Sequence, residues 1–184
     1  MSEQDLYLPW GIVTPAFWDS GESPESSASA AQPSPVPEAV RKELTAIAAA
    51  GAAGQLAEAS ANAHRLDSQI TAQHGEAHLH TIQIREVRAH LAYLAGDHVG
   101  AVGWYLHTAR LRATVLGGQH SDTAHATKLV YSLWRMLPAA DAQRLGPDLL
   151  AALTSIHGPA SPLTVRTRRR LASLTTEENA AATP

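Results

Sequence analysis

HGEAHLHT at residues 74–81 and GGQHSDT at residues 117–123 are two versions of one passage, and HGPASPLT at residues 157–164 is a third. Gly75, Gly117 and Gly158 stand 42 and 41 residues apart, and Thr81, Thr123 and Thr164 keep the same intervals. Gly54 and Gly96 are also 42 apart, as are Ala59 and Ala101. A fixed period of this length, with one glycine turn in its middle and a longer turn at its end, predicts stacked helical hairpins. No single hairpin buries its own apolar face, so neighbours must cover one another.

Outward from that stretch, the chain divides into hairpins. Residues 37–50 predict a first helix opened by Pro37, with Gly51 to Gly54 as its turn and residues 55–73 as its partner. The second hairpin pairs residues 79–95 with residues 98–116 across Gly96. Ile84, Val87 and Leu91 recur at helical spacing, as do Val102, Leu106 and Ala109. The third begins near Ser121, takes its apolar stripe from Leu129, Val130, Leu133 and Trp134, and breaks at Pro138. Its partner helix carries Gly146-Pro147 in the middle, where a kink or restart is expected. Ser161-Pro162 starts a last helix over residues 162–174, which has no partner and should cap the stack. Residues 175–184 should fray. The expected fold is all-α: a superhelical stack of about three helix-turn-helix hairpins plus a C-terminal capping helix.

Composition agrees with such a stack. Hydrophobic residues make up 45% of 184 residues but aromatics only 5%, so alanine carries much of the apolar content and suits closely packed helices. The absence of cysteine removes disulfides, thiolate metal sites and thiol nucleophiles. No apolar run is long enough to span a membrane, and the first ten residues do not read as a secretory signal, so a cytoplasmic location is the expectation. Twelve arginines against two lysines suggest a GC-rich bacterial genome.

The net charge of −3 is unevenly spread. Residues 1–40 carry six acids and no Lys or Arg, leaving 14 basic and 11 acidic residues in the rest. Residues 1–36 form an N-terminal extension whose Ser/Pro/Ala-rich part reads as a disordered linker. Residues 5–20 are different. They hold Tyr7, Trp10, Phe17 and Trp18 and should dock on the groove, on the outside of the first hairpin, or on a partner.

The passage HLAYLAGDHVGAVGWYLHTARLRATVLGGQHSDT, residues 90–123, resembles the tetratricopeptide repeat in the longer form found in kinesin light chains. That form typically runs L-A-x-L…G…A…Y…A…L-G-x-x-H-P-D-T, matched here by Ala89, Gly96, Ala101, Tyr105 and the closing LGGQHSDT. The first repeat keeps Gly54, Ala59 and HGEAHLHT, and the third diverges most because Pro147 replaces the tyrosine. The resemblance covers about residues 37–174. It implies a right-handed superhelix whose concave side is lined by the first helix of each hairpin, serving protein–protein interaction.

With Gly96 as the hairpin turn, the groove-facing positions are Arg41 in the first repeat and Gln83, Glu86, His90 and Tyr93 in the second. His125, Lys128, Ser132 and Arg135 follow in the third, and Arg166 and Arg169 in the last helix. That surface is net positive and suits an extended acidic peptide. Phe17-Trp18-Asp19, with Trp10 nearby, is similar to the tryptophan-plus-acidic peptides that kinesin-light-chain-type repeats recognise, and is a candidate intramolecular ligand.

Other chemistry is sparse. His74, His78 and His80 are close enough in sequence to ligate a metal, but His78 recurs as His120 and His74 as His157, as turn and helix-start residues would. No phosphate loop, H-E-x-x-H or G-x-S-x-G motif is present, and Asp97-His98 has no third partner in sequence. RTRRR at residues 166–170 reads as a solvated helix face, a nucleic-acid contact or part of the acidic-ligand groove. The sequence therefore predicts a non-catalytic adaptor or regulatory module without cofactor or metal, binding another protein rather than nucleic acid or membrane. The end of the stack offers a surface for a homodimer. The alternative is a peptide-sensing regulator that works with a separate DNA-binding polypeptide.

Overall fold

The computed structural model describes residues 38–181, with side chains through residue 176; Trp10, Phe17, Trp18 and Asp19 lie outside the described residues. The described residues form seven helices in order: α1 Glu38–Ala52, α2 Leu56–His74, α3 Leu79–Leu94, α4 His98–Leu116, α5 Ser121–Arg135, α6 Ala139–His157 and α7 Pro162–Ala181. No strand occurs among the described residues. Each helix packs on the next, and α4 also touches α6 while α5 touches α7. The fold is all-α, a stack of antiparallel helical hairpins closed by α7.

The repeated passage is one structural device used three times. Gly75, Gly117 and Gly158 end α2, α4 and α6 with φ of 83, 90 and 85° and ψ of 172, 156 and 162°. That combination is open essentially to glycine alone. Three residues later stands the N-cap of the next helix. His78 Nδ1 accepts from the His80 amide at 3.2 Å, His120 Nδ1 from the Asp122 amide at 3.2 Å, and Ser161 Oγ from the Thr164 amide at 3.2 Å. Three residues further on is a fully buried threonine. The Thr81 hydroxyl donates back to the Gly75 carbonyl at 2.7 Å and Thr164 to the Gly158 carbonyl at 3.0 Å, which closes each junction. Thr123 is buried likewise, but its hydroxyl has no partner.

Within the hairpins, small residues set the spacing. Ala59, Ala63, Ala89 and Ala101 are wholly buried, and Tyr105 packs against the apolar residues of α4 to α7. Burial and the Glu86 carboxylate push the Tyr105 phenol above its ordinary pKa, so it stays neutral. One apolar cluster joins Ile47, Leu66, Ile70, Ile84, Val87 and Leu91 across α1, α2 and α3. A second joins Val102, Leu106, Val130, Trp134, Leu149, Leu153 and Leu174 across α4 to α7.

Two features depart from the sequence reading. α6 runs through Pro147 as one helix, so the chain does not restart there. Pro147 is exposed, so water can serve the carbonyl left without a helical donor. The residue before it is the constrained one: a Cβ on Gly146 would lie 2.6 Å from Leu171 Cδ1 and 3.3 Å from Trp134 Cζ2. Gly146 thus lets α6 close on α7 and on Trp134, whose indole Nε1 donates to the Ala142 carbonyl at 2.8 Å. α7 extends to Ala181, beyond the expected end at residue 174.

The interior also holds charge. Arg112 on α4 is 2% exposed and meets Glu86 on α3, 6% exposed, through Nε–Oε1 at 2.7 Å and Nη2–Oε2 at 2.8 Å. Its Nη1 lies 3.6 Å from Asp122 in the first turn of α5. On the other side of α3, buried Asp67 from α2 accepts from Arg85 Nε at 3.2 Å, from Arg88, and from the Thr71 hydroxyl at 3.0 Å. Truncating one partner of a buried pair strands the other, whereas replacing both with apolar residues removes the desolvation cost together with the attraction. Glu86→Leu should therefore cost about 3–5 kcal/mol in denaturant unfolding, and Glu86→Leu with Arg112→Met should recover most of that loss.

Candidate functional site

Four of the sequence-predicted groove residues converge on one cleft. α5 contributes Lys128, Ser132 and Arg135, and α7 contributes Arg166; the open space between them is about 600 Å³. Ala124, Tyr131, Pro162 and Leu163 form its apolar part. Thr127, His157, Ser161 and Gln119 complete the lining with uncharged or weakly basic groups. Among the described residues no carboxylate lines the cleft.

Helix periodicity explains the grouping. Ala124, Thr127, Lys128, Tyr131, Ser132 and Arg135 repeat every three or four residues and so share one face of α5. That face looks across to the first turns of α7, whose N-cap Ser161 and Leu163 border the cleft. The Arg135 guanidinium lies 5.8 Å from the Tyr131 ring centre, so the aromatic surface and the charge are adjacent. His157, the last residue of α6, reaches in from behind with Nε2 2.9 Å from Thr127 Oγ1, and burial holds its imidazole below the ordinary pKa.

The remaining predicted positions fall elsewhere. His125 and Arg169 are exposed but do not line the cleft. Arg41 is half-buried on α1, with Nη1 3.6 Å from Glu38. The second repeat does not present the predicted surface. Glu86 is turned inward to Arg112, and His90 is 4% exposed with its pKa lowered by burial. Gln83 is half-buried, and the Tyr93 ring packs tilted against His98 with ring centres 4.9 Å apart. The reason is position: α3 is packed between α2 and α4, and ten of its sixteen residues are buried, including the charged Arg85 and Glu86. Sequence reasoning missed Tyr131, Leu163, Thr127 and His157; the first was recoverable, since it stands three residues from Lys128.

Several other histidines have structural partners. The rings of His74, His78 and His80 lie 4.5 to 5.6 Å apart at the α2–α3 junction, where His78 Nδ1 caps α3. Among the described residues no group of three or more His, Cys, Asp or Glu side chains is placed to hold a metal ion. Asp97 caps α4, its Oδ1 accepting from the Gly100 amide at 2.8 Å, so the Asp97-His98 pair marks a helix start. His107 Nε2 is 2.8 Å from Arg85 Nη1. Arginine can only donate, so that nitrogen must be an unprotonated acceptor. Trp104 stands beside it, with Arg88 stacked 4.2 Å from its ring centre.

Neither protein-family models nor curated protein sequences match the chain.

Two of these imidazoles make the fold sensitive to acid. Burial and His74 lower the His78 pKa, while burial and then Arg85 lower that of His107 against the opposing pull of Glu76. In the unfolded chain both protonate near the ordinary value of about 6.5. Below that pH the unfolded state binds more protons than the native one, so stability falls as pH drops toward the lower native values. The melting temperature should decline from pH 7.5 to pH 5.5. His78→Asn, which still caps, combined with His107→Gln, which still accepts, should flatten that decline.

Proposed function

We propose that this chain is a tetratricopeptide-like protein-interaction module, an adaptor or regulatory protein without catalytic activity, that holds an acidic peptide segment of a partner protein in the α5–α7 cleft. The observation carrying this reading is the set Lys128, Arg135 and Arg166 around an apolar floor, with no carboxylate lining the cleft among the described residues. Three cations favour side-chain carboxylates of an extended ligand, and Tyr131 with Leu163 offers a seat for an apolar or aromatic side chain. The cleft is open to solvent along α5 and α7, which leaves a chain-shaped ligand room to enter and leave it.

The same logic makes residues 5–20 an internal competitor. They lie outside the described residues, but their sequence joins Trp10, Phe17 and Trp18 to Asp5 and Asp19, with Glu22 and Glu25 following and no basic residue. A chain beginning at Val36 should then bind an added acidic, tryptophan-bearing peptide more tightly than the full chain does. Equal affinity in a calorimetric titration would remove the internal ligand while leaving the cleft in place.

The cleft itself is tested by charge reversal. Arg135→Glu with Arg166→Glu should weaken acidic-peptide binding by tenfold or more, about 1.4 kcal/mol, with an unchanged melting curve because both side chains are exposed. Wild-type binding should also weaken as salt rises. Undiminished binding by the double variant would move the site off this face.

A further inference from the structure

The histidines of this chain differ in whether their hydrogen bonds tolerate a second ring proton. His78 Nδ1 and His120 Nδ1 accept from backbone amides, and His107 Nε2 accepts from Arg85. Protonation would destroy each of those bonds. His157 is different. Its partner Thr127 Oγ1 lies 3.0 Å from both the Thr123 and the Ala124 carbonyls, so the hydroxyl can turn its one proton into α5. The oxygen's lone pairs then face His157 Nε2 at 2.9 Å and accept from it. The imidazolium therefore keeps this hydrogen bond.

While the cleft is empty, the surroundings of His157 offer nothing to balance an imidazolium. α5 presents Lys128 and Arg135 to the cleft and α7 presents Arg166, while the α4–α5 turn contributes only the uncharged Gln119. No carboxylate among the described lining residues can stabilise a charge on the ring. An acidic ligand would bring one. A carboxylate seated among these cations lies within the same cleft as the imidazole, and an opposite charge close by favours the protonated form. The position of His157 at the end of α6 adds in the same direction, since helix C-termini favour cations.

From this arrangement we infer that His157 takes up a proton when an acidic ligand fills the cleft, so that binding is tightened by acid and the ring becomes a fourth cation of the site. The inference rests on the reading of the cleft as an acidic-ligand site. It makes ligand capture proton-linked, in the direction opposite to fold stability: acid weakens the α2–α3 and α3–α4 contacts but strengthens the hold at α5–α7.

The probe is a synthetic peptide with one tryptophan and three glutamates and no histidine, titrated calorimetrically into the full chain. Glutamate stays ionised from pH 8.0 to pH 6.0, so the peptide contributes no protons of its own in that window. The dissociation constant should fall about fivefold from pH 8.0 to pH 6.0, within the tenfold that one unit of coupling allows. Titrations at pH 6.5 in two buffers of different ionisation enthalpy should show net proton uptake. His157→Gln should abolish the uptake and bring the ratio of affinities at the two pH values near one, whatever its absolute affinity. Arg166→Gln should weaken binding at both pH values and keep the uptake. A second measurement needs no substitution: the His157 ring titration, followed by NMR, should move upward when peptide is added. Binding without uptake, or uptake retained in His157→Gln, overturns the inference and leaves the cleft standing. Absence of binding at both pH values overturns the cleft reading and this inference with it.

Discussion

The two-pronged contact between Arg112 and Glu86 fixes the relation between the halves of the stack. It sits where apolar packing changes hands, between the cluster built on α1 to α3 and the cluster built on α4 to α7. A buried ion pair of this kind contributes little net stability, because the attraction is offset by taking both charges out of water. What it imposes is register. Sliding α3 past α4 by one turn would part the two groups and leave each buried alone. The third arginine nitrogen faces Asp122 in the first turn of α5, so the same guanidinium also bears on where the third hairpin begins. The α5 face that lines the cleft inherits its position from that placement.

The junctions divide the work between backbone and side chain. A glycine in a conformation closed to other residues reverses the chain, a histidine or serine caps the next helix, and a buried threonine ties the cap back to the glycine in the first and third junctions. Using histidine as a cap has a consequence that serine avoids. Its accepting nitrogen is also its titrating nitrogen, so acid removes the cap, whereas Ser161 caps α7 at any pH. Of the two helices that face each other across the cleft, α7 has the cap that is indifferent to the conditions that would charge His157, while α5 starts from His120.

Much of this was legible in the sequence for a physical reason. Glycine positions with a forbidden backbone conformation cannot drift, so the 42- and 41-residue spacing of Gly75, Gly117 and Gly158 survives even where the third repeat loses its tyrosine. Helix limits followed from those glycines and from the caps. The groove was only half legible. Lys128, Ser132, Arg135 and Arg166 could be read because α5 and α7 stand near the end of the stack and keep an open face. Glu86 and His90 could not, because a helical phase says which residues share a face but not whether a neighbour covers it. Arg85 and Arg112 carried a clue that was overlooked: each stands beside apolar-period positions of a central helix, where a solvated charge has no room. The restart expected at Pro147 is absent for the converse reason, since one proline on the exposed side of a long helix costs a hydrogen bond that water can replace.

Net charge would suggest that an acidic chain repels acidic ligands, and distance decides why it need not. At physiological ionic strength charges are screened over about 8 Å, so a ligand in the α5–α7 cleft responds to Lys128, Arg135 and Arg166 and hardly to acids elsewhere on the surface. Six acids fall within residues 1–40, where no Lys or Arg accompanies them. Charge segregated along a chain in this way favours pairing between its parts as well as with a partner, and both uses call on the same three cations. Selectivity between them then depends on what fills the apolar seat beside Tyr131 and Leu163, because the carboxylates of either ligand would satisfy the rim equally.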